Sequence, residues 1–377
     1  MRVRAITAHP HYPEWVIRDG YGDYTKSEII HDVPVTRLLH YVPAQPEGLR
    51  RLFSELSFGV RLLFARWGHP DVIVMVSPAL FATGIAMLRA KLSRHSPVVA
   101  VWVQDIYSLG IVETGSGGRL VARIIRLVEE STLRAASCVV VIHSRFADYL
   151  TKNLKVDPAR IEVIRNWTHL EAASLTNSAE IRAGYGWEPD ETIVLHAGNM
   201  GVKQDLENVI AAARLADDQQ LPVRFVLLGN GSQRESLRNL GLGVHRLQFI
   251  EALSERGFQE ALAAADVLLV NEKLGVSEMA VPSKLTSYFN AGRPVLAATD
   301  LAGATAGEIS EADAGCIVSA GNPQSLLDAA LELGSDPLMS AKLGANGLRY
   351  RRVVLDQEVA IDKFAAWIRI RLHSVGE

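Results

Sequence analysis

In the second half of the chain, short apolar segments end in glycine-containing turns, and a helical pattern follows most of these turns. The segments at 192–197 and 223–228 lead into Gly198-Asn199-Met200-Gly201 and Gly229-Asn230-Gly231. Further apolar segments follow at 246–250, 266–270, 295–298 and 315–318. Strands that alternate with helices are typical of a parallel sheet with both faces covered. Ligands of such sheets bind beyond the carboxyl ends of the strands, so we expect a site near 198–201, 229–231 and 275–283.

The first half shows the same alternation less regularly, with strand patterns at 3–7, 33–38, 72–76, 98–103 and 138–142. Residues 166–183 lack a clear periodicity and are expected to link the two halves. The chain has 377 residues, which is long enough to bury two hydrophobic cores. We therefore predict an α/β protein with domains at 1–170 and 171–355, followed by an amphipathic helix within 356–377.

The composition argues against several classes of protein. A net charge of -3 lacks the basic excess of a general nucleic-acid-binding protein, so we expect no nucleic-acid partner. The two cysteines, Cys138 and Cys316, lie in apolar contexts and are interpreted as free thiols in a reducing compartment, the cytoplasm. No Cys/His cluster has the spacing of metal ligands, and we predict no metal.

No segment has the pattern of a signal peptide or of a membrane-spanning helix. The N-terminal residues lack the apolar run of a signal peptide. The longest uncharged run, 72–88, falls short of the roughly 20 residues of a membrane-spanning helix and is interrupted by Ser77-Pro78. We interpret this run as a strand, a turn and a core helix.

The turn 198–201 is followed by Lys203 at the start of a helical pattern. Backbone N–H groups at such a turn and a nearby ammonium favour phosphate binding. The alternative is a tight turn with a solvated lysine. The second turn, Gly229-Asn230-Gly231, is a candidate for flanking a nucleoside, but a plain turn is preferred because glycines there are explained by backbone geometry alone.

Pro282-Ser283-Lys284 begins the next helical pattern, with Ser283 as its predicted N-cap. A lysine in the first turn of a helix opposes the helix dipole, unless an anion is bound there. Phosphate contact by Lys284 is therefore the preferred interpretation. The alternative is a lysine that extends to water.

Three further positions surround this region, namely Glu272, Glu278 and Ser287. Carboxylates in such a loop are suited to accept hydrogen bonds from sugar or ribose hydroxyls. The alternative is that these residues are loop charges in contact with water. In the first half, Gln104-Asp105 ends the apolar run at 98–103 and is a candidate for holding a substrate sugar. The alternative for Asp105 is the cap of a turn.

Two segments of the first half combine basic and apolar residues, at 48–66 and 118–135. This combination suits the surface of an anionic membrane. An ordinary core helix whose arginines face water accounts for the same pattern.

These motifs together resemble glycosyltransferase family 4, and within it the branch of WcaI-like enzymes of exopolysaccharide synthesis. The matching stretches cover nearly the whole chain, at 7–15, 41–44, 103–105, 166–167, 196–203, 228–231, 265–267, 282–286 and 291–295. The resemblance implies the GT-B fold, in which two Rossmann-like domains with parallel sheets face each other across a cleft. It also implies a C-terminal helix that crosses back to the first domain.

By resemblance, the activity is a metal-independent, retaining transfer of a hexosyl group from a nucleotide diphosphate sugar, with no cofactor. The acceptor is expected to be a glycan or polyprenyl-linked glycan of surface polysaccharide synthesis, at the inner face of the plasma membrane. Lys203 falls where the family has its diphosphate-binding lysine, and Lys284 lies in the Pro-Ser-Lys motif of this branch. Gln104 falls where many relatives have a histidine near the donor sugar.

The chain departs from the family pattern in three places. Ser287 replaces the second glutamate of the family, the first is placed only provisionally at Glu278, and Asn199 stands where many relatives have an arginine. Relatives also begin with a strand, a glycine-rich loop and a helix that this sequence does not show, so we expect a truncated start. These departures keep two alternatives open, an inactive GT-B protein that binds a nucleotide sugar or partner subunit, and a sugar-nucleotide epimerase. An epimerase requires converging acid and base groups, for which the sequence shows no convincing set.

Overall fold

The computed structural model describes residues 2–12, 14–45, 48–77, 79–109, 118–167, 178–275 and 283–373. The chain divides into two compact units. The first comprises Met1–Ile164 and Phe364–Glu377, and the second comprises Arg165–Lys363.

The first unit contains two sheets. A three-stranded sheet has the order β1-β3-β2, with β1 at Ala5–Ala8, β2 at Thr25–Ile30 and β3 at Val33–Leu38. A four-stranded parallel sheet follows chain order, with β4 at Val72–Val76, β5 at Val98–Val103, β6 at Cys138–Val141 and β7 at Ile161–Val163. The helices of this unit are α1 (Gly48–Phe64), α2 (Leu80–Lys91), α3 (Arg119–Ala135) and α4 (Ser144–Lys152).

The uncharged run at 72–88 forms β4 and the start of α2, which confirms the interpretation as a strand and a core helix. The sequence does not predict β2, which pairs antiparallel with β3. Its residues are mostly polar and largely exposed, so it lacks the continuous apolar run that identifies the buried strands.

The second unit is built on a six-stranded parallel sheet with the order β10-β9-β8-β11-β12-β13. Its strands are β8 (Thr192–Ala197), β9 (Val223–Leu228), β10 (Leu247–Ile250), β11 (Val267–Asn271), β12 (Val295–Thr299) and β13 (Gly315–Ser319). Its helices are α5 (Ser178–Gly184), α6 (Leu206–Asp218), α7 (Arg234–Leu240), α8 (Glu255–Ala264), α9 (Lys284–Ala291), α10 (Ala304–Ala312), α11 (Pro323–Ser335) and α12 (Pro337–Val353).

Apolar side chains pack on both faces of this sheet because the strands are buried on both sides. Along β8, Ile193 and Leu195 belong to a core shared with α8 and α9. Val194 belongs to a second core, shared with α6 and α11. The order of the strands reverses between β8 and β11, since the chain extends the sheet from β8 to β10 on one side and from β11 to β13 on the other. Such a reversal is where open α/β sheets bind ligands.

The last helix, α13 (Gln357–His373), begins in the second unit, and its residues from Phe364 onward belong to the first. Within the first unit, the ring of Phe364 lies 5.4 Å from that of Trp102 on β5. The return of the C-terminal helix to the first unit agrees with the predicted fold.

Candidate functional site

The two central strands of the second sheet separate at their carboxyl ends. The backbone pairing of β8 with β11 is confined to Val194 with Val267 and Leu195 with Leu268. Beyond these pairs, the buried hydroxyl of Tyr288 on α9 bridges the two strands. It accepts a hydrogen bond from the Ala197 amide at 2.9 Å and donates one to the Leu269 carbonyl at 3.1 Å. The strand ends and α9 therefore border a crevice at the reversal of strand order.

Lys284 lies one helical turn before Tyr288, at the first position of α9. Its Nζ is 3.4 Å from Nε2 of His196 and 3.9 Å from the point where a side chain on Gly198 would begin. Burial lowers the pKa of Lys284 to about 8, and the nearby Glu272 carboxylate acts in the opposite direction. The amine is turned into the protein, so the alternative of a lysine extending to water is wrong.

His196 is fully buried near the end of β8. Burial, reinforced by the charge of Lys284, lowers its pKa well below the usual value of a histidine. Its imidazole is therefore neutral, and one ring nitrogen can accept a hydrogen bond. Nε2 lies 3.4 Å from both the Lys284 amine and the Asn199 carbonyl, so it accepts from the ammonium in one tautomer and donates to the carbonyl in the other.

Glu272 follows β11 and is held by two threonines from the neighbouring part of the sheet. Its carboxylate accepts a hydrogen bond from Thr299 on β12 and one of 3.0 Å from Thr305 on α10. Burial raises the pKa of Glu272, while the two hydroxyls and the charge of Lys284 lower it. The alternative of a solvated loop charge is wrong for Glu272, because its carboxylate is hydrogen-bonded to Thr299 and Thr305.

The turn that carries Lys203 is anchored to the same strand end. Its residues, Val202–Gln204, form a 3₁₀ turn, and Lys203 is exposed on it. The Lys203 carbonyl accepts a hydrogen bond of 2.9 Å from the amide of Lys273. Asn271, the buried last residue of β11, donates to the carbonyls of Gln204 and Asp205 at 2.8 and 2.9 Å. The predicted continuous helix from Lys203 is wrong, because Asp205 adopts a left-handed conformation and α6 begins only at Leu206.

The two glycine turns pack backbone against backbone. A side chain on Gly229 would begin 2.2 Å from the carbonyl oxygen of Gly198, and Gly229 has a φ of +127°. The Met200 amide donates to the Asn230 carbonyl at 2.8 Å. This contact gives Gly229 and Gly231 a structural role, and the predicted donor binding by Gly229, Asn230 and Gly231 stays a prediction.

The start of α9 differs from the prediction in one respect. Ser283 precedes the helix as expected, but it has helical backbone angles and its side chain makes no capping hydrogen bond. The predicted N-cap is therefore wrong, because a capping side chain requires an extended backbone at that residue. The amide groups of this first turn are left without that cap.

The remaining predicted site residues lie in the turn after β8, on α9, after β5 and outside the described residues. Asn199 and Gly201 lie in the turn after β8, Asn199 is exposed, and Ser287 is partly buried on α9. Glu278 and Pro282 lie outside the described residues. Gln104 and Asp105 follow β5 in the first unit, where the Asp105 carbonyl accepts a hydrogen bond from Ser77 at 3.3 Å.

His196, Asn271 and Tyr288 belong to the site but are not predicted from the sequence. Two of them can be recognised in the sequence, because His196 and Asn271 are polar residues near the ends of otherwise apolar strands. Tyr288 carries none, since a tyrosine in an apolar helix face is ordinarily a core residue.

Within the described part of the chain, no group of three or more His, Cys, Asp or Glu side chains is placed to hold a metal ion. The same residues include no helix that is both long and apolar enough to cross a membrane. Metal independence stays a prediction.

Comparison with known proteins identifies the family. Residues 1–167 match the glycosyl transferase 4-like domain, and residues 191–336 match the glycosyl transferases group 1 domain. The chain is 32% identical to WcaI of Escherichia coli K12, a glycosyl transferase assigned to colanic acid biosynthesis, over 77% of this chain and 73% of WcaI. The chain belongs to the family 4 glycosyltransferases.

This glycosyltransferase is also 26% identical to WbjE of Pseudomonas aeruginosa, described as a glycosyltransferase, over 85% of this chain and 80% of WbjE. Two solved structures support the GT-B fold. Sucrose-phosphate synthase from Thermosynechococcus elongatus has a TM-score of 0.72 at 18% identity, with 99% of this chain and 90% of that chain covered. HepE from Anabaena, in complex with UDP, has a TM-score of 0.71 at 14% identity, with coverages of 98% and 100%.

Proposed function

We propose that this glycosyltransferase moves a hexosyl group, with retention of its anomeric configuration, from a nucleotide diphosphate sugar to a glycan acceptor in surface polysaccharide synthesis. The donor diphosphate would lie in the crevice between the ends of β8 and β11. One observation carries this proposal: the amine of Lys284 is held at the N-terminus of α9 and faces Gly198 and His196.

The N-terminus of α9 and the ammonium of Lys284 favour an anion in the crevice, and the carboxylate of Glu272 offsets part of their charge. A lysine at a helix N-terminus is unfavourable by itself, because both carry positive charge. Burial lowers the pKa of Lys284 in the ligand-free protein to about 8. A diphosphate would offset both of these unfavourable effects, since it accepts hydrogen bonds from the ammonium and from amides of the first turn of α9.

During transfer, the bond between the anomeric carbon and the diphosphate oxygen breaks and the acceptor oxygen bonds to that carbon. The proton of the acceptor hydroxyl passes to the departing diphosphate. Negative charge develops on the leaving diphosphate. Lys284 and Lys203 are proposed to stabilise that charge, which is electrostatic catalysis from groups already in position. The proposal assigns no step to a metal or a cofactor.

The acceptor side is proposed to lie on the first unit, with Gln104 and Asp105 holding a sugar. WcaI is assigned to colanic acid biosynthesis, which favours a glycan or polyprenyl-linked glycan as acceptor. HepE structures contain UDP and UDP-glucose, which favours uridine as the base over guanosine. A cytoplasmic location with peripheral contact at the inner membrane face suits such an acceptor.

The test is an assay with UDP-sugars and GDP-sugars, each with and without a lipid-linked glycan extract, analysed by mass spectrometry and by NMR of the new anomeric centre. The proposal expects an elongated glycan of retained configuration, formed only when both substrates are present. Conversion of the donor to its epimer without acceptor would identify an epimerase instead. Tight donor binding with no turnover on any acceptor would support the inactive alternative.

A further inference from the structure

A helical turn at 107–109 begins just after the candidate pair Gln104-Asp105. The first amides of a helix have no partner within the helix itself. Here another helix supplies the partner, because the Glu129 carboxylate on α3 accepts hydrogen bonds from the Tyr107 amide at 2.7 Å and from the Ser108 amide at 3.0 Å. It also accepts one from the Ser108 hydroxyl. One side chain of α3 therefore fixes the start of this turn.

Glu129 is buried, with 5% of its surface exposed. Removing a carboxylate from water is unfavourable unless hydrogen bonds replace its hydration. Burial raises the pKa of Glu129, and the hydrogen bonds from Ser108 and Tyr107 lower it. These donors all belong to the turn at 107–109, so the buried carboxylate serves to hold that turn.

A second carboxylate holds the same turn through the side chain of Tyr107. The Tyr107 hydroxyl donates to Glu55 on α1 at 2.8 Å and accepts from Arg51 at 3.0 Å. The other oxygen of Glu55 accepts from the amide of Phe81, in the first turn of α2, at 3.0 Å. Glu55 therefore ties both α1 and α2 to the turn that follows the pair.

The backbone before the turn is held from the end of β4. The Ser77 amide donates to the Trp102 carbonyl at 2.9 Å, and the Ser77 hydroxyl donates to the Asp105 carbonyl at 3.3 Å. A cavity of about 20 Å³ between β5 and α3 is lined by Asp105, Glu129 and Thr132, among others. Since packing is incomplete beside Asp105, the polar contacts contribute strongly to the position of the pair.

We propose that Glu129 and Glu55 are positioning residues, which hold the Gln104-Asp105 pair in the conformation that meets a substrate sugar. Neither carboxylate is expected to touch the substrate, since both are engaged by backbone and hydroxyl groups of the protein. This inference rests on the proposed function, from which it takes that the pair holds a sugar of the acceptor. It adds that side chains on α1 and α3 control the affinity for that sugar through the turn at 107–109.

The substitution Glu129→Gln isolates this role because it keeps the size of the side chain. A carboxylate presents two accepting oxygens, whereas the amide of glutamine presents one oxygen and one donating NH₂ group. The Tyr107 amide contacts one oxygen of Glu129, and the Ser108 amide contacts the other. In either orientation of the glutamine, its NH₂ group would therefore face a backbone donor, and one anchor of the turn would be lost.

Hydrogen exchange followed by mass spectrometry measures the turn without any substrate. A peptide covering 104–109 should exchange at least about tenfold faster in Glu129→Gln than in the parent, because a buried hydrogen bond to a charged acceptor is lost. The matched control Glu130→Gln makes the same change one position along α3, where the carboxylate pairs with Arg134. This control should exchange as the parent does.

Transfer assays separate positioning from a general loss of stability. Rates are measured with a saturating UDP-sugar against dilutions of a lipid-linked glycan extract. Glu129→Gln should need about tenfold more extract for its half-maximal rate. It should bind UDP as the parent does, since the donor site is proposed to lie in the second unit. Glu191→Gln removes a buried carboxylate from the second unit and, as the control for stability, should leave the requirement for extract unchanged.

Tyr107→Phe provides a second test if Glu129→Gln does not fold. It removes only the hydroxyl that contacts Glu55 and Arg51. It should raise the requirement for extract by about threefold and speed the exchange of the same peptide, because one neutral hydrogen-bonding group is lost. Its affinity for UDP should equal that of the parent.

The variants Gln104→Ala and Asp105→Asn distinguish this inference from the proposed function. If both leave the requirement for extract unchanged, the proposed acceptor site is contradicted. If they raise it while Glu129→Gln and Tyr107→Phe do not, the positioning inference is overturned. Unchanged exchange of the 104–109 peptide in Glu129→Gln would overturn it as well. If the parent transfers to no extract, the proposed function fails, and faster exchange in Glu129→Gln still supports the positioning of the pair.

Discussion

At the scale of single residues, the site depends on contacts between positions that are far apart in the chain. His196 and Lys284 are 88 residues apart, and Glu272 reaches Lys284 from the end of another strand. The sequence identifies Lys284 through the mismatch between its charge and the helix dipole. It does not identify the partners, because their proximity is set by the order of strands in the sheet and not by spacing along the chain.

The first prediction concerns pH. Lys284 has a pKa of about 8 in the free protein, and a bound diphosphate would raise it. Binding of the diphosphate should therefore be strongest below pH 8 and weaken by up to about tenfold per unit as the pH rises above it. The phosphate itself is already fully ionised there, since its pKa is about 6.

The variant Glu272→Gln removes the carboxylate that raises the pKa of Lys284, so the decline in binding should begin at a lower pH. Calorimetric titration of UDP and GDP across a pH series measures this shift. Glu207→Gln, an exposed position on α6, is the matched control and should leave the profile unchanged. A pH-independent affinity in the parent protein would contradict the assignment.

The second prediction concerns the buried pair. Replacing His196 by leucine removes the imidazole that contacts the Lys284 amine and the Asn199 carbonyl, which should lower the free energy of unfolding by about 1–3 kcal/mol. In a Lys284→Met background the same replacement should cost less, because no ammonium remains to be satisfied. Urea unfolding of the two single variants and the double variant measures the coupling, and strictly additive losses would show that the two side chains do not interact.

At the scale of elements, the hydroxyl of Tyr288 ties α9 to the strand ends, in addition to the apolar packing of Leu285 and Phe289. Tyr288 joins the diverging ends of β8 and β11 and places Lys284, one turn earlier, in the crevice. Tyr288→Phe should lower the free energy of unfolding by about 1–3 kcal/mol, because buried backbone groups lose their partner. It should also weaken nucleotide binding, although Tyr288 makes no proposed contact with the ligand. Tyr41→Phe, at an exposed site, serves as control in urea unfolding and calorimetry, and equal effects of the two variants would refute this role.

The two glycine turns give a prediction of their own. Gly229→Ala combines a left-handed backbone with a contact to the Gly198 carbonyl, so it should lower the free energy of unfolding by about 3 kcal/mol or more. Gly243 also has a positive φ but has open space around it, and Gly243→Ala should cost only about 1 kcal/mol. Urea unfolding compares the two, and a similar loss for both would show that the packing of the turns is unimportant.

The sequence predicts most of the buried elements of the second unit. The bounds of β8 and β9 are as predicted, since both are continuous apolar runs closed by glycine. It does not predict α5, α10 or α12, and α5 lies partly in the segment 166–183, expected to be a link without helical structure. Helix α12 has polar residues on several sides, and α10 is rich in small residues such as Ala304 and Ala306. Neither helix shows a strong amphipathic period, so the pattern of apolar residues does not reveal it. Packing against the sheet determines where each helix lies.

At the scale of the whole molecule, the family assignment and the fold agree with the sequence analysis. The placement of the donor depends on the second unit alone, in which every described residue of the crevice lies. A parallel sheet with one reversal of strand order has one favoured place for a ligand. The buried His196 and the partly buried Lys284 and Glu272 are found there and not at the edges of the sheet.

The central claim is that Lys284 and Lys203 bind the donor diphosphate at this reversal. Calorimetric titration with UDP and with GDP of Lys284→Met, Lys203→Met and the control Lys342→Met, at an exposed site on α12, tests it directly. Each of the first two should bind the preferred nucleotide between about 10-fold and 100-fold more weakly than the parent, and Lys342→Met should bind it equally well. Unchanged affinity in Lys284→Met would contradict the claim.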